Sequence, residues 1–218
     1  INGNPATIVL NYTSVAGLTD VTHLGIFTIA EFSNIPNLVL LAPTNKAEYF
    51  AMLDWSIEQQ EHPVMILMPG NGVIDDGRVA EKDYSNIINK FKVEEKGSKV
   101  AILGLGDFYQ IGEEVSKMVE EKLGFKPTLV NPRFASGVDK ELLNDLKQDH
   151  DLVITLEDGI LRGGFGESIA SFYGDSDIKV KNYGLEKEFY DRYNPSQLLD
   201  ELGITPEKIV KYIESMIK

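Results

Sequence analysis

Short runs of aliphatic and β-branched residues recur along the chain, at 6–10, 37–41, 64–67, 99–103, 128–130, 152–155 and 178–180. Between them apolar residues return every three or four positions, the period of a helix with one buried face. Alternation of the two patterns predicts parallel sheets with crossover helices, an α/β fold. Thr44 is placed to cap a helix on which Ala47, Phe50, Ala51 and Ile57 share a face. Asp139 is placed to cap a helix carrying Leu142, Leu143 and Leu146, and Thr205-Pro206 opens a last helix burying Ile209, Ile213, Met216 and Ile217.

The pattern lapses between residues 69 and 97, where Gly, Pro, Asp and Lys dominate and only a short amphipathic stretch interrupts them. This divides the chain into a first unit at 1–73, a linker at 74–97 and a second unit at 98–218. The first unit has about three strand signals, fewer than an open parallel sheet commonly has, and reads as a truncated one. The expected architecture is therefore two parallel or mostly parallel α/β units, the first of them incomplete.

Charge and composition narrow the partners. The formal net charge is −13 over 218 residues, and no basic stripe with interleaved aromatics offsets it, so nucleic acid and anionic membrane surfaces are poor partners. The absence of Cys removes disulfides, thiolate metal sites and cysteine nucleophiles. No apolar run spans a bilayer and Ile1 does not open a signal peptide, so a cytoplasmic protein is expected.

Candidate chemistry concentrates in the segment from Asn11 to Gly25, which leaves the carboxyl end of a buried strand, where open α/β sheets place their ligands. His23 is suited to proton transfer near neutral pH. From spacing alone it reads equally well as a loop histidine satisfied by its neighbours. Gly104-Leu105-Gly106 and Gly163-Gly164-Phe165-Gly166 would suit phosphate, but Tyr109 stands where a dinucleotide fingerprint needs its third Gly, and tight turns with close helix packing account for both. The pair Glu157-Asp158 reads as structural, one carboxylate buried against Arg133 or Arg162. His62 and His150 read as solvated loop positions, and Trp55 as core.

Thr22-His23-Leu24-Gly25-Ile26-Phe27, Ile35-Pro36 and Ala42-Pro43-Thr44-Asn45 resemble, in order and spacing, the Thr-His-Gln-Gly-Ala-Phe, Ile-Pro and Thr-Pro-Ser-Asp run of the 1-deoxy-D-xylulose-5-phosphate synthases of the transketolase superfamily. Arg133-Phe134, Thr155-Leu156-Glu157-Asp158 and Gly163-Gly164-Phe165-Gly166 are similar to the C-terminal domain of the same enzymes. The resemblance implies part of a thiamine-diphosphate pyrimidine-type domain followed by a transketolase C-terminal-like domain. It implies an enzyme that uses thiamine diphosphate and Mg to condense pyruvate, with decarboxylation, and glyceraldehyde 3-phosphate in isoprenoid and thiamine precursor synthesis, working as a homodimer on small-molecule substrates.

On that resemblance His23 is the catalytic candidate, and Tyr12, Thr19 and Asp20 are the substrate-binding ones. The cofactor's carboxylate and its metal site belong to family segments upstream of those matched, so no cofactor or metal ligand is assigned in this chain, which is expected to be inactive alone. The family's phosphate-contacting Arg aligns with Tyr12, its second Arg is missing from Leu67-Met68-Pro69-Gly70-Asn71, and its Asp aligns with Thr19, beside Asp20. Before Arg78 the only Lys or Arg is Lys46. These departures keep open a superfamily enzyme with another acceptor and a non-catalytic relative.

Overall fold

The structure is a computed structural model that describes residues 4–11, 14–16, 19–70 and 72–217. Strands β1 (Ala6–Leu10), β2 (Val39–Leu41) and β3 (Pro63–Leu67) form a parallel sheet in the order β1-β3-β2. Strands β4 (Lys92–Glu95), β5 (Lys99–Gly104), β6 (Thr128–Asn131), β7 (His150–Ile160) and β8 (Lys179–Leu185) form the second, ordered β4-β6-β5-β7-β8 and parallel except for β4. Helices α1 (Thr28–Phe32), α2 (Lys46–Glu58), α3 (Tyr109–Leu123), α4 (Lys140–Leu146), α5 (Phe165–Phe172), α6 (Pro195–Glu201) and α7 (Pro206–Met216) connect and cover them.

The mostly parallel α/β class is as expected. The stretch 74–97 is not bare of structure: β4 lies in it and pairs antiparallel with β6 at the edge of the second sheet. Its sequence, Lys-Val-Glu-Glu, carries the charge typical of an edge strand, which hides the strand from an apolar pattern.

Two helix readings need correction. The cap of α2 is Asn45, whose side chain accepts from the Glu48 amide at 2.9 Å; Thr44 instead gives both its amide (2.9 Å) and its hydroxyl (2.8 Å) to the Glu48 carboxylate. The buried residues of that helix are Glu48, Met52, Trp55 and Ser56, while Phe50 and Ile57 are exposed. Glu48 tolerates burial because its second oxygen accepts from Asn131 Nδ2 at 2.8 Å, so the whole carboxylate is paired. Trp55 is core as expected, with its indole N–H on Ser85 Oγ at 3.0 Å. Asp139 caps α4 and Thr205 caps α7 as read from the sequence. His150 is buried rather than solvated; its Nε2 lies 2.8 Å from Thr128 Oγ1 and its Nδ1 2.6 Å from Asp149.

Backbone joins the two sheets. Past β6 the chain makes a bridge at Leu41↔Phe134, with Ala42 N donating to Arg133 O at 2.9 Å and Ala135 N to Leu40 O at 2.8 Å. Leu40, Met65 and Leu67 of the first sheet then share one apolar cluster with Leu103, Leu105 and Val130 of the second. Burial of that shared layer helps to hold the two sheets together.

Candidate functional site

β5 is followed in sequence by β6 on one side and by β7 on the other, so the carboxyl ends of β5 and β7 flank a topological switch point, the crevice where open α/β sheets bind ligands. In this chain the crevice is filled from within. Ser14 and Val15, from the loop that leaves β1, are buried there. Val15 N donates to both oxygens of Asp158, at 2.8 and 3.0 Å, and Val15 O accepts from the Tyr193 hydroxyl at 2.7 Å. Ser14 Oγ donates to Asp107 Oδ2 at 3.0 Å.

Asp107 and Asp158 lie together and line a cavity of about 20 Å³ with Ile29, Pro43, Leu67 and Pro69. That volume suits a single water molecule. Burial pushes Asp107 above the usual carboxylate range; burial and then the neighbouring Asp107 charge push Asp158 well above it. Each carboxyl group therefore takes up a proton more readily in the folded protein than in the unfolded chain.

The same loop runs on to the predicted histidine. Asp20 caps a single 3-10 turn, Val21–His23, accepting from Thr22 N at 2.9 Å and Thr22 Oγ1 at 2.6 Å. The Thr22 hydroxyl and amide hold the Asp20 carboxyl below its ordinary value. Thr22 Oγ1 lies 2.8 Å from His23 Nδ1. Having given its one proton to Asp20, the hydroxyl accepts from the ring, which assigns the neutral imidazole's proton to Nδ1 and leaves Nε2 as the basic nitrogen. His23 is exposed. The structure thus brings Asp20 and His23 together through Thr22. Thr19 stands apart, its carbonyl accepting from Arg192 N at 2.7 Å, and Tyr12 lies outside the described residues.

Both Gly-rich turns are packed against the protein itself. At Gly104 a Cβ would stand 2.6 Å from Tyr109 Cα, so the turn into α3 closes only on glycine. The amides of Phe165 and Gly166, at the start of α5, donate to Glu157 Oε2 and Oε1, each at 2.7 Å. An internal carboxyl group thus fills the position a phosphate would take. This corrects the expected arginine partners: Glu157 and Asp158 are both buried, and backbone amides satisfy them. Arg133 donates to Lys90 O at 2.7 Å instead.

Sequence reasoning missed Asp107 and Tyr193, because their meeting with the loop at Ser14 and Val15 depends on tertiary contacts 93 and 178 residues apart. It also missed Arg78, which pairs with Asp76, donates to Thr44 Oγ1 at 3.2 Å and stacks 4.4 Å over the Tyr109 ring. Among the described residues no group of three or more His, Asp or Glu side chains is placed to hold a metal ion. Among them, too, no helix is long and apolar enough to cross a membrane.

Fold and site together define a doubly wound α/β protein in which the switch point of the five-stranded sheet is plugged by the loop that leaves β1. The chain belongs to the transketolase family: residues 89–209 match the transketolase C-terminal domain. It is 30% identical over 220 residues to the 1-deoxy-D-xylulose-5-phosphate synthase of Acaryochloris marina (strain MBIC 11017), an alignment covering 100% of this chain and 34% of that protein. To the synthase of Lachnoclostridium phytofermentans it is 31% identical over 212 residues, 96% of this chain and 33% of the relative. To that of Synechococcus sp. (strain JA-3-3Ab) it is 32% identical over 218 residues, 98% and 33%. The chain thus spans about a third of the length of these relatives. Among solved structures a split gene transketolase, an inactive beta4 tetramer, superposes with a TM-score of 0.76 at 23% identity, over 96% of this chain and 64% of that one.

Proposed function

We propose that the chain supplies part of the active site of a thiamine-diphosphate enzyme of the 1-deoxy-D-xylulose-5-phosphate synthase type, which joins a two-carbon unit from decarboxylated pyruvate to an aldose acceptor. One observation carries the reading: in a chain aligned end to end with such synthases, the Asp20–Thr22–His23 hydrogen-bond series holds a basic nitrogen on an exposed turn, in the loop leaving the carboxyl end of β1. In this reading His23 moves a proton at the bound substrate through Nε2, Asp20 orients it through Thr22, and Tyr12 and Thr19 border the substrate. In this reading residues 1–73 form the pyrimidine-type unit and 98–218 the C-terminal unit, with β4 of the intervening stretch added to the edge of the second sheet.

The described residues do not fit the cofactor's diphosphate and metal. The start of α5 is filled by Glu157 and the turn at Gly104 is closed on Tyr109. Those groups are assigned to other parts of the assembled enzyme, a homodimer in this reading.

A specific observation favours an acceptor other than a sugar phosphate. Lys46, the only Lys or Arg before Arg78, is paired with Asp75 at 3.2 Å, and Arg78 is turned inward onto Asp76. The test is an assay of the assembled enzyme with pyruvate and either glyceraldehyde or glyceraldehyde 3-phosphate. Product from the phosphate alone supports the synthase, product from glyceraldehyde supports the other acceptor, and no cofactor-dependent use of pyruvate overturns the proposal.

A further inference from the structure

We propose that Asp158, backed by Asp107 and Tyr193, is a positioning group for the loop that carries His23, and that its grip depends on the one proton the two carboxyl groups share. The inference rests on the reading of His23 given above. It would assign the C-terminal unit a part in the chemistry without touching substrate.

The geometry is that of a clamp. Val15 is held at its amide by Asp158 and at its carbonyl by Tyr193, from 143 and 178 residues away, and is 1% exposed. Farther along the same loop, Arg192 N donates to Thr19 O at 2.7 Å and Val21 N to Asp191 Oδ1 at 3.3 Å. Every one of these partners comes from β7 or from the segment just before α6. The second unit therefore holds the loop at Val15, at Thr19 and at the turn that bears the imidazole.

The acid pair makes the anchor conditional. Among the described residues, the side chains facing it are the Ser14 hydroxyl from the loop and the Tyr193 phenol from the segment before α6, beside the backbone amides of Val15 on Asp158 and of Asp107 and Phe108 on Asp107. Ile29 of α1, Ala42 and Pro43 after β2, and Leu67 and Pro69 at the end of β3 complete the lining, all apolar. No described cation faces the pair, so two ionised carboxylates would repel each other in a poorly solvated space. With one proton, Asp158 accepts from Val15 and donates to Asp107. Both groups titrate above the ordinary 3.8, so the folded loop binds more protons than the unfolded chain. The grip is complete below that pH and is lost as pH rises through the pair's raised titration.

The test is hydrogen exchange of the chain, reading protection at 14–16 and 19–23 relative to the β5 core across a pH series. Asp158→Asn reproduces the protonated carboxyl, with an oxygen to accept from Val15 and an N–H to give to Asp107; Asp107→Asn likewise leaves a single charge. Both should keep the protection and flatten its pH dependence, whereas Asp158→Ala should lower it about tenfold or more at low pH and converge with wild type as pH rises through the pair's titration. Wild-type protection that does not fall with rising pH overturns the proposal, as does Asp158→Asn loosening the loop as much as Asp158→Ala. If Asp158→Ala fails to fold, the asparagine variants and the wild-type series still decide. In the assembled enzyme the same variants should shift the pH profile of turnover. An inactive His23→Ala enzyme with an unshifted loop bears on the functional reading alone, so the two failures are distinguishable.

Discussion

Glu157 and Asp158 are neighbours on β7, and each carboxyl group is caught by backbone amides from a different part of the molecule. Glu157 takes Phe165 and Gly166 at 2.7 Å each, while Asp158 takes Val15 at 2.8 Å. Alternation along a strand sends adjacent side chains to opposite faces. One acidic dipeptide thereby fastens α5 on one side and the loop of the first unit on the other.

Replacing Glu157 by Gln should destabilise the chain by about 1–3 kcal/mol, because the amide keeps one acceptor and turns an NH₂ toward a backbone donor. Burial pushes Glu157 up to about 8 from its ordinary 4.5. The folded state therefore holds a proton that the unfolded chain releases, so this contribution is complete below about pH 4.5 and is lost as pH rises through about 8. Urea denaturation from pH 5 to 9 should show wild type weakening over that window and Glu157→Gln changing less.

Gly164→Ala tests the same cradle from the other side. Its Cβ would fall 2.5 Å from Ile160 O and against the Glu157 carboxylate, so a loss of about 3 kcal/mol is expected. Gly174→Ala, whose nearest contact would be Ser171 O at 3.4 Å, serves as the control and should change stability by less than about 1 kcal/mol. Equal melting temperatures for the two variants would contradict the packing described.

Glu48→Ala should cost about 3 kcal/mol or more, since it strands the Thr44 amide and the Asn131 side chain in the interior. Glu48→Gln keeps one acceptor and should lose roughly half as much. Denaturant titration of both variants checks the order.

His23→Ala should leave stability within about 0.5 kcal/mol, because the residue is exposed on a surface turn. In the assembled enzyme it should lower turnover by about 10²-fold, the scale of a lost proton-transfer group. Unchanged turnover would return His23 to a structural role.

Calorimetric titration of the 218-residue chain with thiamine diphosphate and Mg should detect no micromolar binding. Heat that fits such a site would mean that the described residues hold the cofactor after all.

The sequence made the strands legible where apolar runs are bounded by polar residues, and β1 falls at the predicted 6–10. It hid β4, whose charged edge reads as linker, and it gave β7 only as the run at 152–155, whereas the strand extends to Ile160. On α2 the apolar residues mislead, because a paired Glu48 lies inside while Phe50 and Ile57 lie outside. The Asp20–Thr22–His23 series was within reach of sequence reading, its partners being adjacent in the chain. The Asp107–Asp158 pair was not, because a carboxylate satisfied by distant amides leaves no complementary charge to search for.

The tie between Val15 and Tyr193 also has a consequence in time. The two residues are 178 positions apart, so at synthesis rates of about 5–20 residues per second the loop is made roughly 10 to 35 seconds before the phenol that closes over its carbonyl. Through that interval the Val15 carbonyl is without the donor that holds it in the folded protein.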